Sequence, residues 1–597
     1  MFKSLIEFYG FLDKVLKRRL IRIQFLIITS SVLETLSVLS IGPFMSFVAS
    51  PELISTSNLS KYFLELFNIS DSSSFLFFLG SMILILMVIS ALVAMLNVWK
   101  LSHLGGDIGA DLSIRMYRHY INQSLPYHLK TNTSEIASKL IVESNRVTHS
   151  IVMQFLHLNS KIVLILMMTI TILITVPIIA ILGTTIFAIS YILMFRFASK
   201  RLNRNGEAIS QESQRRMQTI NESFGGIKDV LIHDLREVFT EKYKKSTKNY
   251  YSSWRSTQVL SLLPRYAMEL AAYGTIITAT LFLLATYENN IEKVLPVIAV
   301  FGLASMKILP AFQQCYFSIS TIRANVNAFL VVRDELEDIH RQEKFIKAYD
   351  RPDTFIPFLK SVNLSDVSFR YNENTDYVVK NVSLNFQANK TTGLVGPSGS
   401  GKSTIVNILT GLLPPSEGKI TIDGQELNDD KMRSWQQRIG YVSQDIFLTD
   451  TSIKENIAFG FNFSEINDDK VYEAVKMAKL DEFVSTLPLG LDTGVGERGV
   501  QLSGGQLQRV GIARALYTNP EIIIFDEATS NLDRISEKLI METISSLGKS
   551  TTIVMIAHRL STVKKCDNIF LLNNGQVEDS GDYQYLIKNN PKFVDLT

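Results

Sequence analysis

The chain has 597 residues, too many for one hydrophobic core, so two or more domains are expected. A formal charge of +3 is too small to argue for nucleic acid as a partner, and two cysteines, Cys315 and Cys566, imply no disulfide framework. Composition is uneven: roughly the first 330 residues hold long apolar runs, and the remainder reads as a soluble α/β protein.

The N-terminus, MFKSLIEFYGFLDKVLKRRL, places Phe2, Leu5, Ile6, Tyr9, Leu12, Val15 and Leu16 at helical spacing. Its polar side carries Lys14, Lys17, Arg18 and Arg19, which predicts an amphipathic helix at the membrane interface leading into a spanning one. Apolar runs long enough to cross ~30 Å of hydrocarbon begin near Ile21, Phe75, Ile151, Val176, Val259 and Val294. Little more than Thr175-Val176-Pro177 separates the third from the fourth. Pro264, Arg265 and Glu269 interrupt the fifth, and Lys307 and Pro310 the sixth.

Orientation follows from the connections. The N-terminal segment and the stretches between spans two and three and between spans four and five are rich in Lys and Arg, whereas the remaining connections are short or poor in base. Six crossings with both ends in the cytoplasm satisfy that pattern, in the cell's inner (plasma) membrane. The two basic connections keep helical periodicity, so the spans are expected to continue well beyond the bilayer. Midway along them, residues 121–140 and 221–239 are candidates for short helices that turn back, the second broken at Gly225-Gly226.

The domain reading is residues 1–333 for the six-helix membrane part, 334–353 for a charged linker and 354–597 for the soluble part. From Val362 the pattern becomes short β-rich runs (LSDVSFRY, VSLNFQA, KITIDG) and then strands alternating with helices.

GPSGSGKS, residues Gly396, Pro397, Ser398, Gly399, Ser400, Gly401, Lys402 and Ser403, follows the strand TTGLV and opens a helix with Thr404. That is the setting of a phosphate-binding loop, in which backbone N–H groups and a helix N-terminus face the phosphates. Lys402 would reach the β- and γ-phosphates of ATP, and Ser403 would ligate Mg²⁺. Farther on, EIIIFDEATS sets Asp526 and Glu527 at the end of an apolar strand beside the loop's own strand. Asp526 would hold the metal's shell, and Glu527 would polarise water. His558, ending TIVMIAH, either contacts the γ-phosphate or only packs; Gln444 in IGYVSQD is a similar candidate for Mg²⁺ or water. Tyr371, ending VSFRY, either stacks on adenine or faces the core.

GPSGSGKS, VSQD, LSGGQLQR, IIIFDEATSNLD and IAHR, in that order, resemble the nucleotide-binding domain of ABC transporters. Six spans fused ahead of one such domain resemble the exporter half-transporter layout. The fold implied is a helical membrane domain followed by an α/β P-loop NTPase domain with an antiparallel β subdomain. The resemblance implies that Ser503, Gly504, Gly505 and Gln506 close over the γ-phosphate held by Lys402 of a second copy, making a homodimer. It further implies Tyr371 as the adenine aromatic, Gln444 as a lid residue, Glu527 as base, His558 as γ-phosphate switch and Asp533 as a contact across the dimer. The family more often has Ala where this chain has Asn531. Gly494–Gly499 resembles the exporter segment that touches the membrane helices.

For cargo, Glu34, Arg265, Glu269 and Lys307 are charges inside apolar runs. Arg265 and Glu269, four apart, either pair with each other, or Arg265 and Lys307 line a cavity and meet a phosphate or pyrophosphate head. Leu59, Tyr62, Phe63, Leu66 and Phe67 recur at helical spacing after the first span. With LETLSVLSIGPFMSFVASPELI, they look like the bacterial lipid-linked oligosaccharide flippases of the PglK type. That resemblance implies membrane lipid and a polyprenyl-pyrophosphate glycolipid as partners. A multidrug or lipid A exporter is the alternative.

Overall fold

The computed structural model describes residues 2–52, 54, 60, 71–175, 177–286, 291–342, 357–528, 534–548, 550–557 and 559–595. Leu59, Tyr62, Phe63, Leu66 and Phe67 of the expected outer helix, and His558, Asn531 and Asp533, lie outside them. The chain divides into two compact units, one of residues 1–123 and 130–347, the other of residues 124–129 and 348–597.

The first unit is helical. It opens with α1 (Phe2–Phe11), followed by α2 (Lys14–Leu39) and α3 (Ile41–Ala49). The N-terminal amphipathic stretch is therefore two helices and not one. Asp13 adopts extended backbone (φ −62°, ψ 153°) ahead of α2, so Val15, Leu16 and Lys17 to Arg19 belong to the first turns of the spanning helix. Phe8 of α1 is buried edge-on against Phe329, 6.0 Å between ring centres.

Next come α4 (Ser72–Ile121), α5 (Leu125–Lys130), α6 (Thr133–Ala137) and α7 (Met153–Thr175). Two π-helical stretches, Ser138–Glu143 and Val147–Val152, lie between the last two. Then follow α8 (Pro177–Gly225), α9 (Ile227–Ile232), α10 (Arg236–Leu262), α11 (Pro264–Thr286) and α12 (Ile291–Gln342).

Among the described residues five helical stretches are long and apolar enough to cross a membrane: Lys14–Ala49, Ser72–Ile121, Thr133–Ile174, Arg236–Thr286 and Val294–Ile339. The remaining expected crossing falls in α8, several of whose side chains are outside the described set. The 50 residues of α4 make a rod of about 75 Å, more than twice the hydrocarbon thickness, so this helix does continue beyond the bilayer. Lys307 and Pro310 do not interrupt the last helix: α12 carries both Pro296 and Pro310 within it. Pro264 is the first residue of α11, where its missing N–H costs nothing. Residues 334–342, read as linker from their charge, form the last turns of α12.

Buried polar ties join helices far apart in sequence. Arg146 donates to Glu143 (2.9 Å), Ser210 (2.5 Å) and Asn325 (3.0 Å). Lys139 meets Glu335 at 2.7 Å, and the Tyr120 hydroxyl donates to the same carboxylate oxygen. A buried charge needs such pairing to be tolerated. Gly206 permits a close helix approach: a Cβ there would lie 2.0 Å from the carbonyl oxygen of Ala324.

The second unit holds two sheets. One, in the order β2-β1-β4-β5, is antiparallel: β1 (Ser361–Phe369), β2 (Val379–Gln387), β4 (Glu417–Ile422) and β5 (Gln425–Glu426). The other has the order β10-β9-β3-β8-β7-β6, from β3 (Thr391–Val395), β6 (Ile439–Val442), β7 (Ile522–Asp526), β8 (Thr552–Ile556), β9 (Asn568–Asn573) and β10 (Gln576–Gly581). Its five strands from β9 to β6 are parallel, and the central β7 and β8 are buried on both faces, hence their apolar runs IIIF and IVMI.

The two faces feed different cores. Leu394, Ile524 and Val554 pack with the antiparallel sheet and with α13 (Lys402–Leu409) and Trp435 of α14 (Asp429–Gln436). Val395, Phe525 and Met555 pack with α15 (Ile453–Ile457), α16 (Asp468–Met477), α17 (Asp481–Thr486), α18 (Gly504–Tyr517) and α19 (Arg534–Leu547). Leu125 of α5, the short helix expected within 121–140, packs against the first of these cores.

Candidate functional site

The site lies at the C-terminal ends of the parallel strands, where the loop from β3 to α13 runs over residues 396–401. Gly396 has φ +151°, and a Cβ on it would come within 2.1 Å of the Leu572 carbonyl oxygen, so no other residue fits. Gly401, at φ +98°, caps α13, whose first turn presents its N–H groups to the loop. Gly399 also takes positive φ, Ser398 is exposed, and Thr404 is buried in α13. The Ser400 hydroxyl is buried with no hydrogen-bond partner among the described residues. A buried orphan oxygen inside a loop of N–H donors fits an anion seated there.

Lys402 is buried and folds its ammonium back onto the loop, donating to the carbonyls of Gly396 (2.8 Å) and Pro397 (2.9 Å). Burial pulls its pKa below the ordinary lysine value, against the opposing pull of Glu527 and Asp526. Those two carboxylates therefore stand close to the loop, as expected, although not by the expected route. The neighbour of β3 is β8, the strand leading to His558, and β7 with Asp526 lies one strand farther out. Sequence alone does not fix that order, because parallel strands pair by crossover and not by succession.

Glu527 sits just past β7 in the left-handed region, φ +50°, with its N–H on the Ile556 carbonyl. Such backbone in a non-glycine residue costs energy and concentrates at functional positions. Gln444 donates from Nε2 to Glu527 Oε2 at 2.9 Å, joining two of the expected residues. Tyr441, which sequence reasoning passed over, donates its hydroxyl to Asp526 Oδ2 at 2.9 Å. Burial, then Asp526, raises the Tyr441 pKa, so the phenol stays protonated as a donor. The signal was present in IGYVSQD: Tyr441 pairs with Ile524, two residues before Asp526, across parallel strands β6 and β7.

Ser403 is exposed at the start of α13. With Gln444 and Asp526 it offers the hard oxygen donors that Mg²⁺ takes, which fits that ion in company with phosphate oxygens. No cluster of three or more His, Cys, Asp or Glu suited to a metal occurs among the described residues. Tyr371 stands two residues past the end of β1, 38% exposed, its ring edge-on to Phe369 at 5.0 Å. It is therefore not a core tyrosine.

Ser503 caps α18. Its Oγ accepts from Gln506 N, and Gln506 Oε1 accepts from Ser503 N at 2.8 Å, a reciprocal capping box. Gly504 faces open space and Gly505 is buried. Among the described residues no hydrogen bond or ion pair joins this segment to the 396–404 loop. It is a second preformed helix N-terminus, held apart from the first.

In the membrane unit, Arg265 Nε meets Glu269 at 2.8 Å and Lys307 meets Glu34 at 3.5 Å. The first pair is the local i,i+4 one; the second joins the first and last spanning helices.

A phosphate loop, a strand-end Asp-Glu pair and a separate LSGGQ helix define an ABC-type nucleotide-binding domain, here fused behind a helical membrane domain. The family model for the ABC transporter matches residues 379–530, and that for the ABC transporter transmembrane region matches residues 39–308. The chain belongs to the ABC transporter family, as an exporter-type half-transporter.

It is 30% identical over 401 residues to the heterocyst differentiation ATP-binding protein HepA of Nostoc sp., covering 66% of this chain and 63% of HepA. It is 47% identical over 220 residues to the ABC transporter ATP-binding protein y4gM of Sinorhizobium fredii, 37% of each chain. The chain thus spans less than two thirds of either relative. A solved structure of a bacterial Atm1-family ABC exporter with ATP bound superposes with a TM-score of 0.77 over 98% of both chains, at 22% identity, which shows the fold.

Proposed function

We propose that the chain is an ATP-driven exporter or flippase that works as a pair of copies and moves an amphipathic lipid with an anionic head. The observation that supports hydrolysis is the single cluster of Lys402, Asp526, Glu527 and Gln444 around the 396–404 loop. On nucleotide binding, Lys402 exchanges two loop carbonyls for phosphate oxygens, and Ser400 gains an acceptor. Ser403, Asp526 and Gln444 would hold Mg²⁺, which when bound neutralises charge developing on the phosphates. Glu527 accepts the proton of the attacking water, oriented by the Gln444 amide. Each γ-phosphate is closed over by the Ser503–Gly505 helix end of the second copy, and a two-fold homodimer satisfies both sites. The basic connections support a cytoplasmic nucleotide domain at the inner membrane.

For cargo, Arg265 and Lys307 are cations on membrane helices, each balanced by one carboxylate. A pyrophosphate head competing with Glu269 and Glu34 would take them over. This supports a polyprenyl-pyrophosphate-linked oligosaccharide or related glycolipid. A second reading, a multidrug or lipid A exporter, is favoured by Staphylococcus aureus relatives named for multidrug export, 41% identical over 235 residues. That alignment is shorter than the membrane unit, where cargo would bind.

The deciding experiment is ATPase stimulation of the reconstituted protein by polyprenyl-pyrophosphate oligosaccharide, lipid A and hydrophobic cations, with Glu527→Gln as blank. Stimulation by the first alone, lost in Arg265→Ala, supports the glycolipid reading. Stimulation by hydrophobic cations with no response to the pyrophosphate lipid replaces it with the multidrug one.

A further inference from the structure

Between α2 and α4 lies a cavity of about 510 Å³ that the nucleotide cycle does not use. On α2 it is lined at positions 19, 22, 23 and 26, one helix face; on α4, at 99, 100, 103, 104 and 107, again one face. The first spanning segment and α4 run antiparallel: Arg19 meets Asp107 at 2.7 Å near one end, and Phe47 of α3 packs edge-on against Phe75 near the other.

That ion pair closes one end. Two further cations line the cavity: Arg22, which makes no hydrogen bond or ion pair among the described residues, and Lys100, whose ammonium lies 4.6 Å from the centre of the Trp99 ring. His103 packs edge-on against the same ring. Ile23, Leu26, Leu104 and Trp99 supply its apolar lining. Cationic and apolar groups thus share about 10–12 Å of each helix. Three cations stand against one carboxylate. The cavity sits where the apolar run of α4 ends at Trp99 and that of α2 begins, the level at which tryptophan marks a membrane interface.

We infer that this cavity is a binding site for an anionic phospholipid of the inner leaflet. Its phosphodiester pairs with Arg22 and Lys100, while its glycerol and upper acyl chains lie on Trp99, Ile23 and Leu26. Cations and hydrocarbon side by side in one cavity are what distinguish a whole lipid from a soluble phosphate, which would use only the cations. The site is separate from Arg265 and Lys307, so it stands or falls apart from the cargo reading and needs no ATP.

The test is native mass spectrometry of the full-length protein titrated with phosphatidylglycerol, phosphatidylcholine or glycerol 3-phosphate. Retention of phosphatidylglycerol over phosphatidylcholine is expected, with roughly tenfold or greater weakening in Arg22→Ala/Lys100→Ala, given what juxtamembrane cations contribute to anionic-lipid binding. Arg22→Lys/Lys100→Arg should retain the lipid. In wild-type protein, phosphatidylglycerol brominated on its acyl chains should quench tryptophan emission, and Trp99→Phe should remove that quenching. Equal binding of the two lipids, phosphatidylglycerol binding unchanged in the double-alanine variant, or competition by glycerol 3-phosphate at similar concentration would overturn the inference.

Discussion

The Gln444 side-chain amide donates to Glu527 at 2.9 Å, tying the strand-end carboxylate proposed as base to a residue 83 positions earlier in the chain. That donor orients one oxygen of the base for a defined task, and removal of either member separates binding from turnover. Glu527→Gln should lower kcat by about 10²–10⁴-fold, the usual scale of general-base catalysis, while ATP binding persists. Gln444→Ala should lower kcat by about tenfold, through lost orientation and not lost base. Steady-state hydrolysis beside equilibrium binding of a fluorescent ATP analogue reads both; unchanged turnover in Glu527→Gln would remove that residue from the base's role.

Tyr441 makes a prediction that the motifs alone do not. Its phenol donates to Asp526, so Tyr441→Phe leaves the ring in place and deletes only the donor. A hydrogen bond to a charged group is worth about 1.5–3 kcal/mol. The variant should turn over several-fold more slowly and show a shifted Mg²⁺ dependence, with the melting temperature little changed. A Mg²⁺ titration of ATPase activity checks this, and an unaltered curve would leave Tyr441 as packing.

Asn456 is fully buried and saturated. It donates to the carbonyls of Thr449 (3.0 Å) and Ser452 (3.1 Å) and to the Thr451 hydroxyl, and accepts from Thr449 N and from Arg514 of α18. Burial already pulls the Arg514 pKa below its ordinary value, so this guanidinium depends on its acceptors. Asn456→Ala orphans several groups at once and should destabilise the nucleotide domain by about 2–4 kcal/mol, at about 1–3 per unsatisfied group. Thermal unfolding of the full chain measures it; Asn456→Asp, which keeps the acceptor, should cost less.

Asp423 supplies a pH dependence. Partial burial would raise its pKa, but three backbone N–H donors, Leu359, Ser361 and Lys360, outweigh that and hold the carboxylate below its usual 3.8. A depressed carboxylate pKa contributes stability above the unfolded value that is lost as pH falls through the folded one. The nucleotide domain should therefore lose stability below about pH 4, and Asp423→Asn should flatten that part of the profile. Unfolding midpoints from pH 6 to pH 2.5 would show whether the two proteins converge.

Much of the nucleotide site was legible because its chemistry is local. Gly396 to Ser403 is one continuous loop, and Asp526 and Glu527 are adjacent at a strand end. What was not legible depends on long-range placement. The insertion of β8 between β3 and β7, the reach of Tyr441 to Asp526 and the Glu34–Lys307 pair, 273 residues apart, all follow from packing of elements distant in sequence. The split of the N-terminal helix at Asp13 escaped for the opposite reason. Helical spacing persisted across a break made by one residue's backbone. Pro310 misled in a third way, because a spanning helix tolerates a proline that would end a shorter one.

The 50-residue α4 has a mechanical meaning. A straight rod of about 75 Å that pivots within the bilayer by only ~5° sweeps its far end through ~3 Å on either side of a central fulcrum, or ~6 Å from one end. Stiffness over that length makes the helix a boom: small rotations at one end arrive at the other as displacements the size of an atom or larger, with no side chain needing to carry the message.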